Sequence, residues 1–212
     1  MYVPTHFKED RIDVLHGMMR ETALATLVTQ GADGIEASHV PMLMDPEPAP
    51  FGTLRGHVAR ANPQWRDAKK QPAVGIQSLA MFLGPNAYIT PSWYATKKQT
   101  GKVVPTWNYV AIHAHGPVTF FEDRDRLLDI VTRLTGRHEG RREAPWAVSD
   151  APADYIEAML KAIVGFEMPI VKLEGKWKLG QNRSAEDFAG VREGLREEGA
   201  ALGGAMTALA SK

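Results

Sequence analysis

Hydrophobic and polar positions alternate along this chain in two registers, and the change of register marks its elements. Residues 8–20 place Ile12, Leu15 and Met19 three and four apart among charged residues, which predicts an amphipathic helix. Ala23 to Thr29 is rich in β-formers and ends at Gly31-Ala32-Asp33-Gly34, and a second run, Ile35 to Leu43, follows at once. An Asp-Gly pair between two such runs predicts a hairpin. The Pro-rich loop Asp45–Pro50 leads into a third strand, Thr53 to Ala59. Asn62-Pro63 then reads as a helix start, Asn62 capping and Pro63 in the first helical position, with the helix running through Trp65 to about Lys70. Residues 73–82 and 106–121 are strand-like, the second with Gly116-Pro117 suggesting a bulge or an edge position. Asp123 is placed to cap a helix bearing Leu127, Leu128, Val131 and Leu134. A mobile linker over 136–145 precedes a helix from Ala153 to Ile163. A last strand pair, Val164–Leu173 and Lys176–Leu179, is expected to turn at Glu174-Gly175, and Ser184-Ala185-Glu186-Asp187 resembles a capping box opening a terminal helix. Residues from about 200 onward are small and read as a flexible tail.

Strands arriving as hairpins, without regular βα alternation, argue for a mainly β (α+β) chain. The expected architecture is an antiparallel barrel with peripheral helices rather than a doubly wound sheet. At 212 residues the expectation is one domain over 1–212, since two would each be small for an independent core. The segment Gly84–Pro105 stands apart, with three prolines and with Tyr88, Trp93 and Tyr94 interleaved among Lys97, Lys98 and Lys102. Long irregular segments in compact domains tend to be functional, although aromatics that merely pin a surface loop would look the same.

Charge and cysteine content narrow the chemistry. Lys plus Arg and Asp plus Glu both total 25, so the basic excess typical of a nucleic-acid grip is absent and direct nucleic-acid binding is not expected. The chain has no cysteine, which excludes disulfides, thiolate nucleophiles, zinc–thiolate sites and iron–sulfur clusters. No apolar run reaches the length of a membrane span and the N-terminus lacks a signal-peptide pattern, so the expected location is the cytoplasm, away from any membrane.

Fingerprints of dinucleotide, nucleotide and zincin sites and the nucleophile elbow are missing. Among histidines, His113 and His115 lie two apart in one strand and so face the same side, while His39 and His57 belong to other strands. They could hold a metal or haem, or simply satisfy backbone groups. No carboxylate is obviously paired with them, and no metal site is assigned. Arg60 stands just before the Asn62-Pro63 helix start, and free N–H groups beside a guanidinium would suit a phosphate. The competing reading has Asn62 capping its own helix and Arg60 in solvent. Trp107-Asn108-Tyr109 offers aromatic walls and an amide for a flat, amphipathic ring. Lys176 to Arg183, with Lys178, Gln181, Asn182 and Arg183, gathers cations and amides at a strand end that suit phosphate or an electron-rich ring edge, or form a solvated charge run.

Taken together these segments resemble the PaiB family of FMN-binding negative transcriptional regulators, related to the pyridoxamine-phosphate-oxidase-like split barrels. The resemblance is carried by Met1–Phe7, Ser38-His39-Val40-Pro41, Gly56–Trp65, Gly84–Tyr94, Val104–Tyr109 and Lys178–Arg183, nearly the whole chain. It implies an FMN-binding split barrel working as a homodimer with FMN at the subunit interface. The stretch around His57, Arg60 and Asn62 would serve the phosphate, and Ser38 and His39 would lie near the ribityl chain or ring. Trp107, Asn108 and the Lys178–Arg183 segment would border the isoalloxazine, partly from the partner subunit. Gly180 departs from the serine expected before Gln181-Asn182, which removes a hydroxyl. The implied activity is a flavin-dependent oxidoreductase or a redox or metabolite sensor, with a small-molecule substrate, acting indirectly on transcription. Haem binding or degradation and direct repression through DNA are the alternatives. No catalytic residue is assigned.

Overall fold

The computed structural model describes residues 1–31, 34–69 and 76–210. Its strands are β1 (Lys8–Glu9), β2 (Leu24–Gly31), β3 (Gly34–Pro41), β4 (Leu43–Asp45), β5 (Thr53–Ala59), β6 (Ile76–Ile89), β7 (Thr106–Phe121), β8 (Ile163–Pro169) and β9 (Lys172–Lys178). Its helices are α1 (Ile12–Thr22), α2 (Gln64–Lys69), α3 (Ala95–Thr100), α4 (Arg124–Glu139), α5 (Ala153–Lys161), α6 (Ala185–Glu197) and α7 (Leu202–Ala210). The chain divides into two compact units, a larger one of 12–82 and 113–173 and a smaller one of 1–11, 83–112 and 174–212; β6, β7 and β9 contribute residues to both.

In the larger unit the strand order is β3-β2-β6-β7-β8-β5-β4, with antiparallel pairing of β2 with β3 and β6, of β8 with β5 and β7, and of β4 with β5. The ends of that path, β3 and β4, are separated along the chain by Met42 alone, so covalent continuity brings the sheet's two edges together and closes it into a barrel. Closure removes exposed edges that would otherwise invite pairing with other chains. Alternation is visible along the strands: Leu27 and Thr29 of β2 and Leu54 and Val58 of β5 are buried, while Arg55 and His57 occupy the opposite face of β5. Leu43, Ile130 and Leu134 pack together with Phe121, joining α4 to the sheet. The helix pattern of α1 buries Leu15 and Met19, one turn apart.

The sequence expectations meet the structure unevenly. The hairpin β2–β3 is present with Gly31 opposite Gly34, although Ala32 and Asp33 lie outside the described residues, as do Lys70 and residues 73–75. The first helix starts at Ile12, not at residue 8, because Lys8 and Glu9 pair with Lys176 and Gly175 as a short strand. Asp123 caps α4 as expected, accepting a 2.9 Å bond from the Arg126 amide. The linker begins only after Glu139, whose carboxylate holds the Trp146 amide at 3.1 Å. Glu174-Gly175 is not a turn: it lies inside β9, and the chain reverses at Ile170-Val171, whose amides bond to Gly52 and His115 carbonyls at 2.9 and 2.8 Å. Gly84–Pro105 is not irregular throughout either. Gly84–Ile89 continues β6 beyond its pairing with β2, which runs to Met81 opposite Thr26, so Pro85 needs no amide on that side. Ala95–Thr100 is helical. Residues beyond 200 hold α7, with Leu202 and Met206 buried.

In the smaller unit, α6 packs on the Trp93 turn through two small residues. A Cβ on Gly190 would stand 2.1 Å from the Trp93 carbonyl oxygen, and one on Gly194 would stand 2.3 Å from its indole, so only glycine leaves room. Asp187 in the first turn of α6 accepts from the Thr96 amide and hydroxyl, both at 2.9 Å, tying α6 to α3. That engagement leaves Ser184 alone to cap the helix, at 3.2 Å from the Asp187 amide.

Candidate functional site

The residues singled out by sequence fall into two groups, one in each unit. In the smaller unit, β7 begins with Thr106-Trp107-Asn108 and β9 ends at Lys178, followed by the turn Leu179–Arg183. Trp107 is half exposed, donates its indole N–H to Asn86 Oδ1 at 3.2 Å, and lies 6.2 Å from the Tyr88 ring centre. Asn108, the next residue of β7, is buried. Lys178 donates to Thr106 Oγ1 at 2.7 Å and to the Trp107 carbonyl, both neutral acceptors. Its ammonium pKa is lowered, first by burial and then by the nearby charges of Lys176 and Arg183. Lys176, Lys178 and Arg183 thus gather three cations at this corner.

The neighbouring cations are steadied by aromatic faces. Lys176 is buried, donates to the Tyr2 carbonyl at 3.1 Å, and stands 5.2 Å from the Tyr109 ring centre and 5.6 Å from that of Tyr2. Arg183 lies 4.7 Å from the centre of the Tyr94 ring. Gln181 is spent on the turn itself, bonding the Leu179 amide at 2.9 Å and the Trp177 carbonyl at 2.6 Å. Asn182 is exposed. Gly180 adopts φ 87°, a backbone region that glycine enters without cost, so the departure from serine serves the tight turn. The arrangement is an aromatic surface bordered by cations and an amide. Such a set binds flat, anionic or electron-rich molecules.

In the larger unit, Ser38 of β3 and Asn62 in the turn between β5 and α2 meet, Asn62 Nδ2 donating to Ser38 Oγ at 2.8 Å. Asn62 Oδ1 accepts from the Gln64 amide at 2.9 Å, so the cap expected at α2 is present. Gln64, buried, donates to the Leu27 carbonyl and Thr29 Oγ1 at 3.1 Å each. Arg60 is drawn away from that group: its guanidinium pairs with Glu122 and donates to the Lys161 and Ile163 carbonyls. The expected free guanidinium beside a helix N-terminus is therefore already neutralised, and α2 has only six residues.

The four histidines divide as well. His39 is exposed and shares a 2.9 Å bond with Thr26. His113 and His115 have ring centres 6.4 Å apart. His57 lies against α4 and α5, with Nδ1 buried and without a hydrogen-bond partner among the described residues.

Against this geometry stand the known proteins that the chain resembles. The family model described as "Putative FMN-binding domain" matches residues 1–172. The chain belongs to that family. Protease synthase and sporulation protein PAI 2 of Bacillus subtilis is 33% identical, over 93% of this chain and 90% of its own. An uncharacterized protein of Aspergillus fumigatus is 35% identical over 96% of this chain and 94% of its own. Among solved structures, the FAD and heme binding protein from Mycobacterium smegmatis superposes with a TM-score of 0.59 at 14% identity, covering 86% of this chain and 78% of that one. The flavocytochrome Anf3 from Azotobacter vinelandii gives 0.58 at 12% identity, over 89% and 78%. These likenesses show a shared fold, which in this chain is an antiparallel split β-barrel with peripheral helices.

Sequence reasoning named Tyr88 and Lys176 without placing them, and it singled out neither Asn86 nor the cavity beside His57. Tyr88 and Asn86 join Trp107 because Gly84–Ile89 is strand rather than loop. Lys176 is buried under Tyr2 and Tyr109, which an alternation argument on Lys176-Trp177-Lys178 could have suggested. The cavity beside His57 left no signal, since its walls come from segments far apart in sequence.

Proposed function

We propose that the chain binds FMN through the aromatic and cationic group of its smaller unit. In this reading it works as a flavin-dependent oxidoreductase or a redox or metabolite sensor that influences transcription indirectly. The observation that carries the reading is Lys178: a partly desolvated ammonium with neutral partners, crowded by Lys176 and Arg183, beside half-exposed Trp107 and Tyr88. An anionic group or an electron-rich ring edge relieves that crowding, and the indole supplies a flat wall. FMN brings both features, and family membership supports the choice. When bound, FMN supplies the electron-transfer chemistry. The chain's part is to orient the ring and to set the charge at its polar edge. Trp107 stacks or borders, Lys178 and Arg183 supply positive charge, Asn108 and Asn182 supply amides, and Gln181 shapes the turn.

Homodimerisation belongs to the same proposal. Tyr2, Leu83, Tyr88, Val104 and Trp107 are all more than half exposed in the smaller unit, a large apolar offering for a monomer. Sedimentation of the purified protein tests it, a monomer at micromolar concentration being the contrary result. Regulation through direct DNA contact has no support from the balanced charge. Retardation of a promoter fragment at physiological salt, sequence-specific and tight, would reverse that judgement. The haem alternative has the His113–His115 pair behind it, and a haem titration without a Soret change removes it.

The cofactor is tested by thermal unfolding with and without FMN. At a hundredfold excess over Kd, mass action adds about 2.7 kcal/mol of stability. For a chain of this size that raises Tm by roughly 5–10 °C. A colourless protein whose Tm ignores FMN defeats the reading.

A further inference from the structure

The larger unit contains a concavity unlike the cationic group in composition. A cavity of about 300 Å³ is lined by His57 on β5, by Val131 and Thr135 on α4, by Trp146, and by Tyr155 and Met159 on α5, with further aliphatic side chains completing the wall. Its volume lies at the lower end of small-molecule pockets, enough for a fused-ring compound. None of the lining side chains is Asp, Glu, Lys or Arg. His57 is pushed toward its neutral form by burial. Its Nδ1 is buried without a hydrogen-bond partner among the described residues. Such an atom is costly to leave unsatisfied. Trp146, Tyr155 and Met159 are each about half exposed, at 46%, 55% and 44%, and the thioether adapts readily to ligand shape.

We propose that this cavity is a binding site for a small, neutral, aromatic molecule carrying one hydroxyl or carbonyl group, which takes the open hydrogen bond of His57. Neutrality follows from the walls: a charged ligand would lose its hydration with no opposite charge to meet it. The aromatic preference follows from Trp146 and Tyr155 on its wall and from the cavity's limited volume. The single polar group follows from the one orphaned nitrogen. According to its tautomer, Nδ1 accepts from a hydroxyl or donates to a carbonyl. The proposal is independent of the FMN site proposed in the smaller unit, with which it shares no residue; His57, which the family resemblance set beside the phosphate, here lines the cavity instead.

The experiment titrates the full-length protein with 2-naphthol, naphthalene and 2-naphthoate, following methionine-methyl NMR shifts for location and calorimetry for affinity. The expected result is saturable binding of 2-naphthol that shifts the Met159 methyl. Naphthalene binds about five- to tenfold more weakly, as befits the loss of one hydrogen bond, and 2-naphthoate more weakly still. Two variants locate the effect. Ala162→Phe, at an exposed wall position, fills the cavity and abolishes the Met159 shift while leaving flavin absorption and Tm unchanged. His57→Phe brings 2-naphthol down to the affinity of naphthalene. Absence of saturable binding by 2-naphthol overturns the proposal. So does 2-naphthoate binding as tightly as 2-naphthol, or a 2-naphthol affinity indifferent to both substitutions.

Discussion

Replacing Lys178 by methionine separates the work this side chain does for a ligand from its effect on the fold. In the free protein the ammonium is stabilised by Thr106 Oγ1 and the Trp107 carbonyl, and opposed by burial and by Lys176 and Arg183. Two neutral-acceptor bonds to a charged donor contribute a few kcal/mol at most, and the opposing terms, expressed in the lowered pKa, cancel part of that. Methionine keeps the length and apolar stem and removes the charge, so the stability of the free protein should change by less than about 1 kcal/mol. Binding behaves differently. A charge-assisted hydrogen bond to an anionic or electron-rich acceptor contributes about 1.5–3 kcal/mol, so FMN affinity should fall roughly 10- to 100-fold.

The sign of the pH effect is also fixed. A lysine whose folded pKa is depressed costs stability while it is charged in the fold. That cost is present below the folded pKa and is relieved as pH rises from there toward the ordinary value near 10.5. Because the ligand favours the charged form, FMN affinity should decline as pH rises through the lowered pKa, and Lys178→Met should flatten that decline. Fluorescence titration of FMN against both proteins from neutral to alkaline pH provides the assay. An unchanged affinity in the variant, or a matching loss of stability in its free form, refutes the reasoning.

Three further substitutions test the frame around the sites. Asp45 joins Arg55 of β5 to Arg133 of α4; burial raises its pKa, but the hydrogen bonds and charges of both arginines outweigh that and hold it low. Asp45→Asn should therefore cost about 1–3 kcal/mol at neutral pH in urea unfolding. The difference should disappear as pH falls below 3.8 through the folded pKa. Gly194→Ala should destabilise by about 1–3 kcal/mol by forcing Trp93 off α6, although alanine is the better helix former by about 1 kcal/mol; a rise in Tm would contradict the packing. Asn62→Ala removes both the α2 cap and the Ser38 bond and should cost about 1–2 kcal/mol, with a neutral result in denaturant titration showing that the pair contributes nothing.

What the sequence disclosed was local. β5 and β7 appeared at their observed bounds because alternation and bounding Gly and Pro residues act within a few positions. The caps Asn62, Asp123 and Ser184 were legible for the same reason. Long-range partners overrode the local signal elsewhere. Lys8 and Glu9 left the first helix to pair with residues some 170 positions away, and Glu174-Gly175 stayed extended in the same pairing. The site shows the same division. Ser38 and Asn62 met as a pair, and Trp107 and Lys178 came together through the Trp107 carbonyl. Arg60 did not stay free, because Glu122 and two carbonyls, invisible to a motif, claimed its guanidinium. Closure of the barrel likewise depends on Met42 lying alone between β3 and β4, which no periodicity reveals.

The central claim is that the smaller unit holds FMN against Trp107 and Lys178. Titrating FMN into flavin-free protein, with flavin fluorescence followed for the native chain and for Trp107→Ala with Lys178→Met combined, addresses it most directly. The account predicts saturable quenching by the native protein, weakened at least a hundredfold in the double variant while its far-ultraviolet circular dichroism is retained. No quenching by the native protein, or equal quenching by both, would contradict it.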